Sequence, residues 1–281
     1  MRQRQDIKHS SVLKKRRRNK AVFLVYITVF TIFLTVGVLS WISWYKTLVI
    51  TDVVISGNEI LSDDSILGLV DQVSSDKYFY LFSKKSTFLF PQKKLEHEIA
   101  SKFSRVDSVK IGHTGIQSVE IKIVERDPFA IWCEAKNIPD DEVETITTPA
   151  CYFLDKDGLI FAEAPQFSEN VYLKIFGDTG SDLPIGETIL PREEFLKLMN
   201  FRDSFERIGF PVKEISIEDK QGVLATKAGF EVIFDLNGDY DAMFENFFTT
   251  YTAKDEEKGD AQDGLESVDL RFGNKIYFKY R

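Results

Sequence analysis

Histidine and cysteine are the side chains most often used for metal binding and nucleophilic catalysis, and this chain contains few of either. The only histidines are His9, His97 and His113, which stand too far apart in sequence to form a recognisable ligand motif. Without a histidine-containing cluster, a Ser-His-Asp or Cys-His arrangement has little support. We therefore expect no catalytic residues, no metal and no cofactor.

Carboxylates are numerous, but their spacing indicates turns and solvated surface. The run Asp155-Lys156-Asp157-Gly158 resembles the start of a calcium loop, yet it lacks the next oxygen ligand and the terminal glutamate. A β-turn between two strands explains the run better. No phosphate-binding loop or dinucleotide fingerprint is present. A carboxylate pair for glycoside hydrolysis stays open, although no particular pair stands out.

Cys133 and Cys151 are the only cysteines, and each borders a strand-like run, FAIWC and CYFLD. If those two runs pair as strands, the cysteines come close together. A disulfide would then close a loop of this size and stabilise the fold by roughly 3 kcal/mol in the chain-entropy model. We predict this bridge, with two buried free thiols as the alternative, and it would require an oxidising compartment.

The charge distribution divides the 281-residue chain into three parts, although its total formal charge is only −8. Residues 1–20 contain nine Lys or Arg and one Asp, residues 21–45 contain no charge, and the remainder carries −16. The uncharged segment is mostly apolar and ends in Trp41, Trp44 and Tyr45. As a helix it would measure roughly 37 Å, enough to cross a ~30 Å hydrocarbon core. We predict a transmembrane helix at 21–45.

The basic tail sets the expected orientation. Lys and Arg beside a span remain cytoplasmic, so residues 46–281 should lie outside the cytoplasm. The run Lys14–Arg18 is also typical of nucleic-acid or nuclear-import patches, but beside a span, topogenic and lipid-contacting roles explain it more simply. We expect contact with membrane lipids through the tail and the span, and no nucleic-acid partner.

The exported part reads as two successive α+β units. The order β-α-α-β-β follows from strand-like residues 51–56, a helix with Ser62 as its N-cap, a helical stripe after Pro91 and two strand-like runs. Residues 78–90, between the two helices, are aromatic-rich and are predicted to be irregular. Further strands are predicted at 128–133, 151–162, 212–218, 222–227 and 230–236, with a helix at 192–208 and a short aromatic helix after it. The charged run KDEEKGDAQDG is predicted to be a solvated loop, and the last predicted element is a hairpin, ESVDLRF–GN–KIYFKYR.

Three stretches together resemble the bacterial cell-division family FtsQ/DivIB. They are VVISGNEILSDDSI with the following YFYLF, then SRVDSVKIGHTGIQSVEIKIVERDPFAIW, and the C-terminal VDLRFGNKIYFKY. Each motif alone is weak, whereas their order after a basic tail and one span is more specific. The long segment SKKSTFLFP and the cysteine pair depart from the family pattern.

The resemblance implies a POTRA (polypeptide-transport-associated) domain at 50–126 and a C-terminal β domain at 127–281, the latter mixed α/β with an antiparallel-rich sheet. It also implies a non-enzymatic, single-pass scaffold of the divisome, expected at the septum, with no small-molecule substrate. The expected partners resemble FtsB/DivIC and FtsL. The alternatives are a POTRA-containing scaffold for protein export or assembly, and a membrane-anchored cell-wall hydrolase.

Two sets of residues carry the expected interactions. A last strand can expose a sheet edge that accepts a partner strand, or it can simply close the sheet. From the family motif and this edge, partner binding is expected at Arg271, Phe272, Ile276, Tyr277, Phe278 and Tyr280. Glu125, Arg126 and Pro128 match the family's domain junction. They are expected to fix the angle between domains, with a direct partner contact as the alternative.

Overall fold

A computed structural model gives the protein a mixed α/β architecture with one N-terminal apolar helix and a large sheet. It describes residues 6–134, 150–167, 171–181, 183–258 and 264–281, and for 6–15, 17 and 257–258 only the backbone. Most side chains of the predicted basic tail, 1–20, and the segment 135–149 between the cysteines therefore lie outside the described residues.

The chain divides into two compact units. The first comprises Met1–Lys102 and Ser108–Glu125, and the second comprises Phe103–Asp107 and Arg126–Arg281. The division falls between Glu125 and Arg126, whereas the sequence placed the domain boundary between 126 and 127. Residues 103–107, assigned by sequence to the first domain, belong to the second unit.

Helix α1 spans Asp6–Ser43, and its part Arg18–Ser43 is long and apolar enough to cross a membrane. The hydroxyls of Thr28, Thr31 and Thr35 donate to main-chain carbonyls three residues earlier, so these polar groups are satisfied within the helix. The helix ends two residues before the predicted span does. Trp44 and Tyr45 therefore lie beyond it, where backbone bonds tighten to i→i−3 spacing before a 3-10 turn at Lys46–Leu48.

The first unit continues with two helices and a small sheet. Its elements are β1 (Asp52–Ser56), α2 (Asp63–Ser74), β2 (Lys77–Tyr78), β3 (Phe82–Ser83), α3 (Gln92–Lys102), β4 (Val106–His113, whose first two residues belong to the second unit) and β5 (Ser118–Glu125). The sheet order is β1-β5-β4, with β1 parallel to β5. The apolar stripes of α2 and α3 bury Ile66, Leu95 and Ile99 completely, as does β5 with Val119 and Ile121.

Two local features of this unit differ from the sequence interpretation. Ser62 occupies the N-cap position of α2, but its hydroxyl lies 2.8 Å from the Ser65 hydroxyl and makes no cap bond to the backbone. A two-stranded hairpin of β2 and β3 occupies residues 77–83, although residues 78–90 were predicted to be irregular.

The second unit is built on a nine-stranded sheet. Its elements are β6 (Ala130–Glu134), β7 (Cys151–Leu154), β8 (Ile160–Glu163), β9 (Leu173–Gly177), α4 (Arg192–Arg207), β10 (Val212–Glu218), β11 (Gln221–Thr226), β12 (Glu231–Asp235), α5 (Tyr240–Lys258), β13 (Leu265–Phe272) and β14 (Lys275–Tyr280). The sheet order is β14-β13-β12-β11-β10-β9-β6-β7-β8. Most neighbouring pairs are antiparallel, while β6–β9, β9–β10 and β12–β13 are parallel.

Aromatic residues from α4 and α5 pack with the inward-facing strand residues into one core. Phe195 and Phe205 of α4 and Phe247 of α5 are completely buried there. Three differences from the sequence stand out: the predicted strand 151–162 is broken by a turn, β9 was not predicted, and α5 continues through 254–258.

Candidate partner-binding edge

The C-terminal hairpin of β13 and β14 forms because two β-rich runs flank a two-residue turn. Phe272 pairs with Lys275, and Gly273 between them adopts φ +63°, a left-handed conformation that glycine tolerates. Parallel pairing of β13 with β12 joins the hairpin to the large sheet. This arrangement places β14 last in the strand order.

β14 presents an open edge of the sheet: in the described parts of the chain, no strand pairs with its outer side. The Arg281 amide donates to the Gly264 carbonyl, which fixes the direction of the backbone groups near the end of the strand. Both register irregularities insert the extra residue into β13, so β14 itself is regular. Successive amides of a regular strand point to opposite sides. Because the Arg281 amide points toward β13, the amides of Ile276, Phe278 and Tyr280 point away from it.

The opposite edge of the sheet is partly covered. The Ile160 amide of β8 donates to the Glu187 carbonyl, and the Ile160 carbonyl accepts from the Gly186 amide. Leu159 also forms a bridge with Thr188. A partner strand would have to displace these bonds at β8, which makes β14 the more accessible edge.

One face of β14 packs against the core of the second unit. Ile276 and Phe278 are half-buried and contact the core cluster. Lys254 of α5 places its ammonium group 4.0 Å from the ring centre of Phe278 and 5.6 Å from that of Tyr280. These side chains therefore hold the strand on the unit, while their amides point to the open edge.

The other face exposes two aromatic rings. Phe272 and Tyr277 are each 54% exposed, and their rings meet edge-to-face with centres 5.2 Å apart. An exposed pair of this kind offers apolar contact area beside the open backbone edge. Together with the edge of β14, these residues define the candidate edge.

Arg271 is held by its own unit. Its Nε and Nη2 donate to the two carboxylate oxygens of Asp269, at 2.9 and 2.6 Å, and its Nη1 donates to Oε1 of Gln221 on β11. Burial opposes ionisation of Asp269, but the hydrogen bonds and charge of Arg271 outweigh it, so the pKa of Asp269 is lowered. These contacts use three of the five guanidinium N–H groups, and the side chain is 37% exposed. Arg271 therefore orients the end of β13, and its role in partner binding stays a prediction.

The predicted junction residues make contacts inside separate units. Within the first unit, Oε1 of Glu125 accepts the successive amides of Glu59, Ile60 and Leu61, at 2.8 to 3.0 Å. This carboxylate closes the loop between β1 and α2. The sequence did not indicate that role.

Within the second unit, Arg126 ties the segment 103–107 to the β7–β8 turn. Its guanidinium donates to the Ser104 carbonyl and to the carboxylates of Asp107 and Asp155. Pro128 is half-buried in the stretch leading to β6. Arg126 thus explains why residues 103–107 belong with the second unit.

Cys133 and Cys151 lie opposite each other in the pairing of β6 with β7 and form a disulfide. The bond joins the ends of two adjacent strands at the base of the segment 135–149, which lies outside the described residues. The disulfide links β6 to β7, which lie near the β8 end of the sheet and far from β14 in the strand order.

The run 155–158 forms the turn between β7 and β8. Oδ1 of Asp155 accepts the amides of Asp157 and Leu159, and Gly158 adopts φ +83°. In the residues that the structure describes, no group of three His, Cys, Asp or Glu is placed to hold a metal ion. Arg271 borders a polar depression of about 750 Å³ that also contains Glu218, Asp219 and Asp235.

Sequence reasoning missed two residues that contact side chains of the C-terminal hairpin, Lys254 and Gln221. Lys254 stands in a charged run that was interpreted as a loop, and Gln221 is fifty residues from Arg271. No local pattern connects either residue with the C-terminal hairpin. Their contacts arise only when α5 and β11 pack beside it.

In comparisons with known proteins, no protein-family model and no curated protein matches the chain.

Proposed function

We propose that this protein is a non-enzymatic, single-pass membrane scaffold that captures partner proteins by strand addition at β14. The observation that carries the proposal is the open edge of β14, where three outward amides lie beside an exposed aromatic pair. Main-chain hydrogen bonds would supply affinity, and the alternating side chains would select the register.

We further propose that the scaffold acts in bacterial cell division, in the role of FtsQ/DivIB. Apart from the short hairpin β2–β3 between the two helices, the order β1, α2, α3, β4, β5 is the order expected of a POTRA domain. The open C-terminal hairpin coincides with the family's VDLRF-like ending. On this proposal the N-terminus is cytoplasmic and residues 46–281 lie outside the cytoplasm. The protein would link early and late division proteins and help regulate septal peptidoglycan synthesis.

The partners that fit this edge are small single-pass proteins with an extended segment near the membrane. FtsB/DivIC and FtsL are the partners proposed from the resemblance. An extended segment would pair with the backbone of β14 and set apolar side chains against Phe272 and Tyr277. The basic tail and the membrane helix would contact lipids, and the proposal includes neither nucleic acid nor a small-molecule substrate.

Paired substitutions at Tyr280 test the edge. Tyr280→Ala removes the ring, whereas Tyr280→Pro removes the ring and the outward amide donor. Binding of purified DivIC-like and FtsL-like proteins to the full chain in nanodiscs would be measured for both variants. Loss of one backbone bond, with a partner carbonyl left unsatisfied, should weaken binding about tenfold in the proline variant relative to the alanine variant.

A second pair, Ile276→Pro and Ile276→Ala, repeats the comparison at another outward amide. Fluorescence of the buried Trp132, with Trp41 and Trp44 replaced by Phe, reports whether the second unit remains folded. Equal partner affinity of the proline and alanine variants at both positions would refute strand addition at β14.

A further inference from the structure

The β2–β3 hairpin of the first unit folds back onto the end of the membrane helix. The Ser40 hydroxyl and the Trp44 indole both donate to the Leu81 carbonyl, at 2.7 and 3.0 Å. The Ser83 amide donates to the Ser43 hydroxyl at 3.3 Å. Ser40 and Ser43 belong to the segment Arg18–Ser43 that is able to span a membrane. The hairpin tip is therefore fixed at the depth of the last turn of that segment.

The tip exposes large aromatic side chains instead of packing them. Phe79 is 86% exposed, Tyr80 92% and Phe88, on the following loop, 76%. The Leu81 amide donates to the Tyr78 carbonyl, and Phe79 and Tyr80 have φ of +50° and +61°. This is a type I′ turn, which favours Asn-Gly. Two bulky aromatic residues thus occupy strained positions without gaining a core contact, as is typical of functional sites.

An apolar groove separates the tip from α1. The cavity has a volume of about 560 Å³ and is lined by side chains of the helix and of the hairpin, among them Leu39, Ile42, Phe82 and Leu89. Lys77 and Trp44 adjoin the lining residues Tyr78 and Ser43 in sequence, and the Lys77 ammonium lies 5.0 Å from the ring centre of Trp44. Apolar walls, aromatic rings and a cation at one depth are the combination found where proteins meet lipid headgroups.

We propose that the hairpin tip, Phe79–Leu81 together with Phe88, inserts into the leaflet of the bilayer where α1 ends, with a lipid acyl chain occupying the groove. The inference rests on α1 spanning a membrane, but not on the proposed role in division or on the β14 edge. The occupant is lipid because hydrogen bonds fix the tip to the helix end, so a bilayer that surrounds α1 meets the tip at the boundary between headgroups and acyl chains. Insertion would attach the first unit to the membrane at a second point beside the helix.

Site-directed spin labelling of the full chain tests the insertion. The variants Tyr80→Cys and Phe88→Cys would each carry a nitroxide, in nanodiscs of phosphatidylcholine and phosphatidylglycerol that contain one copy of the protein. The native cysteines form a disulfide and do not react with the label in the absence of reductant. The nitroxide at both positions should show several-fold lower accessibility to a water-soluble nickel relaxant, and higher accessibility to oxygen, than at a water-exposed site.

Ile60→Cys provides the matched control. Ile60 is 68% exposed and belongs to the same unit, but it follows the far end of β1, on the order of 15 Å along the strand from the end where α1 connects. Nickel accessibility at Tyr80 and Phe88 equal to that at Ile60 would overturn the proposal. Exposure in nanodiscs combined with protection in native membranes would also overturn it, because a partner protein would then cover the tip.

Discussion

At the scale of single residues, the Asp269–Arg271 pair holds the end of β13 in place. The Asp269 side chain is 17% exposed, and its lowered pKa means that the carboxylate is more easily ionised in the folded than in the unfolded chain. The stabilisation is therefore fully present above the unfolded pKa of about 3.9 and is lost as the pH falls through the folded pKa.

Asp269→Asn should lower the free energy of unfolding of the second unit by about 1 kcal/mol at pH 7, because the substitution removes an ion pair that is only partly buried. The difference from the native chain should shrink as the pH falls below about 4, because the carboxylate is protonated first in the unfolded chain and, at its lower pKa, then in the folded chain. Denaturant unfolding between pH 7 and pH 3, followed by Trp132 fluorescence with Trp41 and Trp44 replaced by Phe, measures it.

Arg271→Ala provides the control for this pair. In that background Asp269→Asn should have little further effect, since the partner charge is already gone. An undiminished effect of Asp269→Asn would show that the stabilisation comes from another contact of Asp269.

The side-chain contacts of the C-terminal hairpin were foreseeable from the sequence only in part. Asp269 and Arg271 are two apart on a strand and so share a face, which a period of two makes foreseeable. The contact of Arg271 with Gln221 was not foreseeable, because it depends on β11 lying two strands away in the sheet order. Similarly, alternation places Ile276 and Phe278 on one face, but only the position of α5 determines that this face packs inward.

At the scale of elements, a glycine in one strand of the large sheet leaves room for an aromatic ring of the neighbouring strand. Gly222 of β11 pairs with Phe234 of β12, and a Cβ atom at position 222 would lie 2.1 Å from the Phe234 ring. Phe234 is completely buried, so its ring has little room to move. The ring packs over the backbone of Gly222, in the space that a side chain at this position would fill.

Gly222→Ala should therefore destabilise the second unit by about 1–3 kcal/mol, the usual cost of overpacking a core. Denaturant unfolding of the full chain, monitored by Trp132 as above, gives the measurement. Gly177→Ala is the matched control: this glycine lies in β9 of the same sheet, and an added Cβ would meet only ordinary contacts of 3.5 Å or more. Equal effects of the two substitutions would contradict the packing argument.

The elements that the sequence predicted well are those with strong periodicity or clear turn residues. The stripe of α4 and the Gly-Asn turn of the C-terminal hairpin are examples, and both are present. β9 escaped prediction because its five residues carry little pattern of their own and are stabilised by parallel pairing with β6 and β10. The charged end of α5 resembled a loop because of its composition. It is helical because it continues a helix whose aromatic segment is anchored in the core.

At the scale of the whole molecule, charge and hydropathy divide the chain into a basic tail, an apolar helix and acidic outer units. The structure has one helix among its described residues that is able to span a membrane, consistent with a single-pass protein. The net charge of −8 is thus a sum over parts that we place on opposite sides of a membrane. On our proposal the tail sets the orientation, whereas the surfaces that select a protein partner lie in residues 46–281.

A fluorescent protein fused to the N-terminus of the full chain should form a band at mid-cell, because on our proposal the outer units bind division proteins there. A matched fusion that carries only residues 1–45 retains the basic tail and the apolar helix but lacks β14 and its exposed aromatic pair. It should distribute evenly along the envelope, since the positive-inside rule and lipid contact give orientation without position. Fluorescence microscopy of dividing cells distinguishes the two patterns. An even distribution of the full chain would contradict the division role and favour an export or assembly scaffold, whereas release of soluble fragments from purified peptidoglycan would indicate a hydrolase.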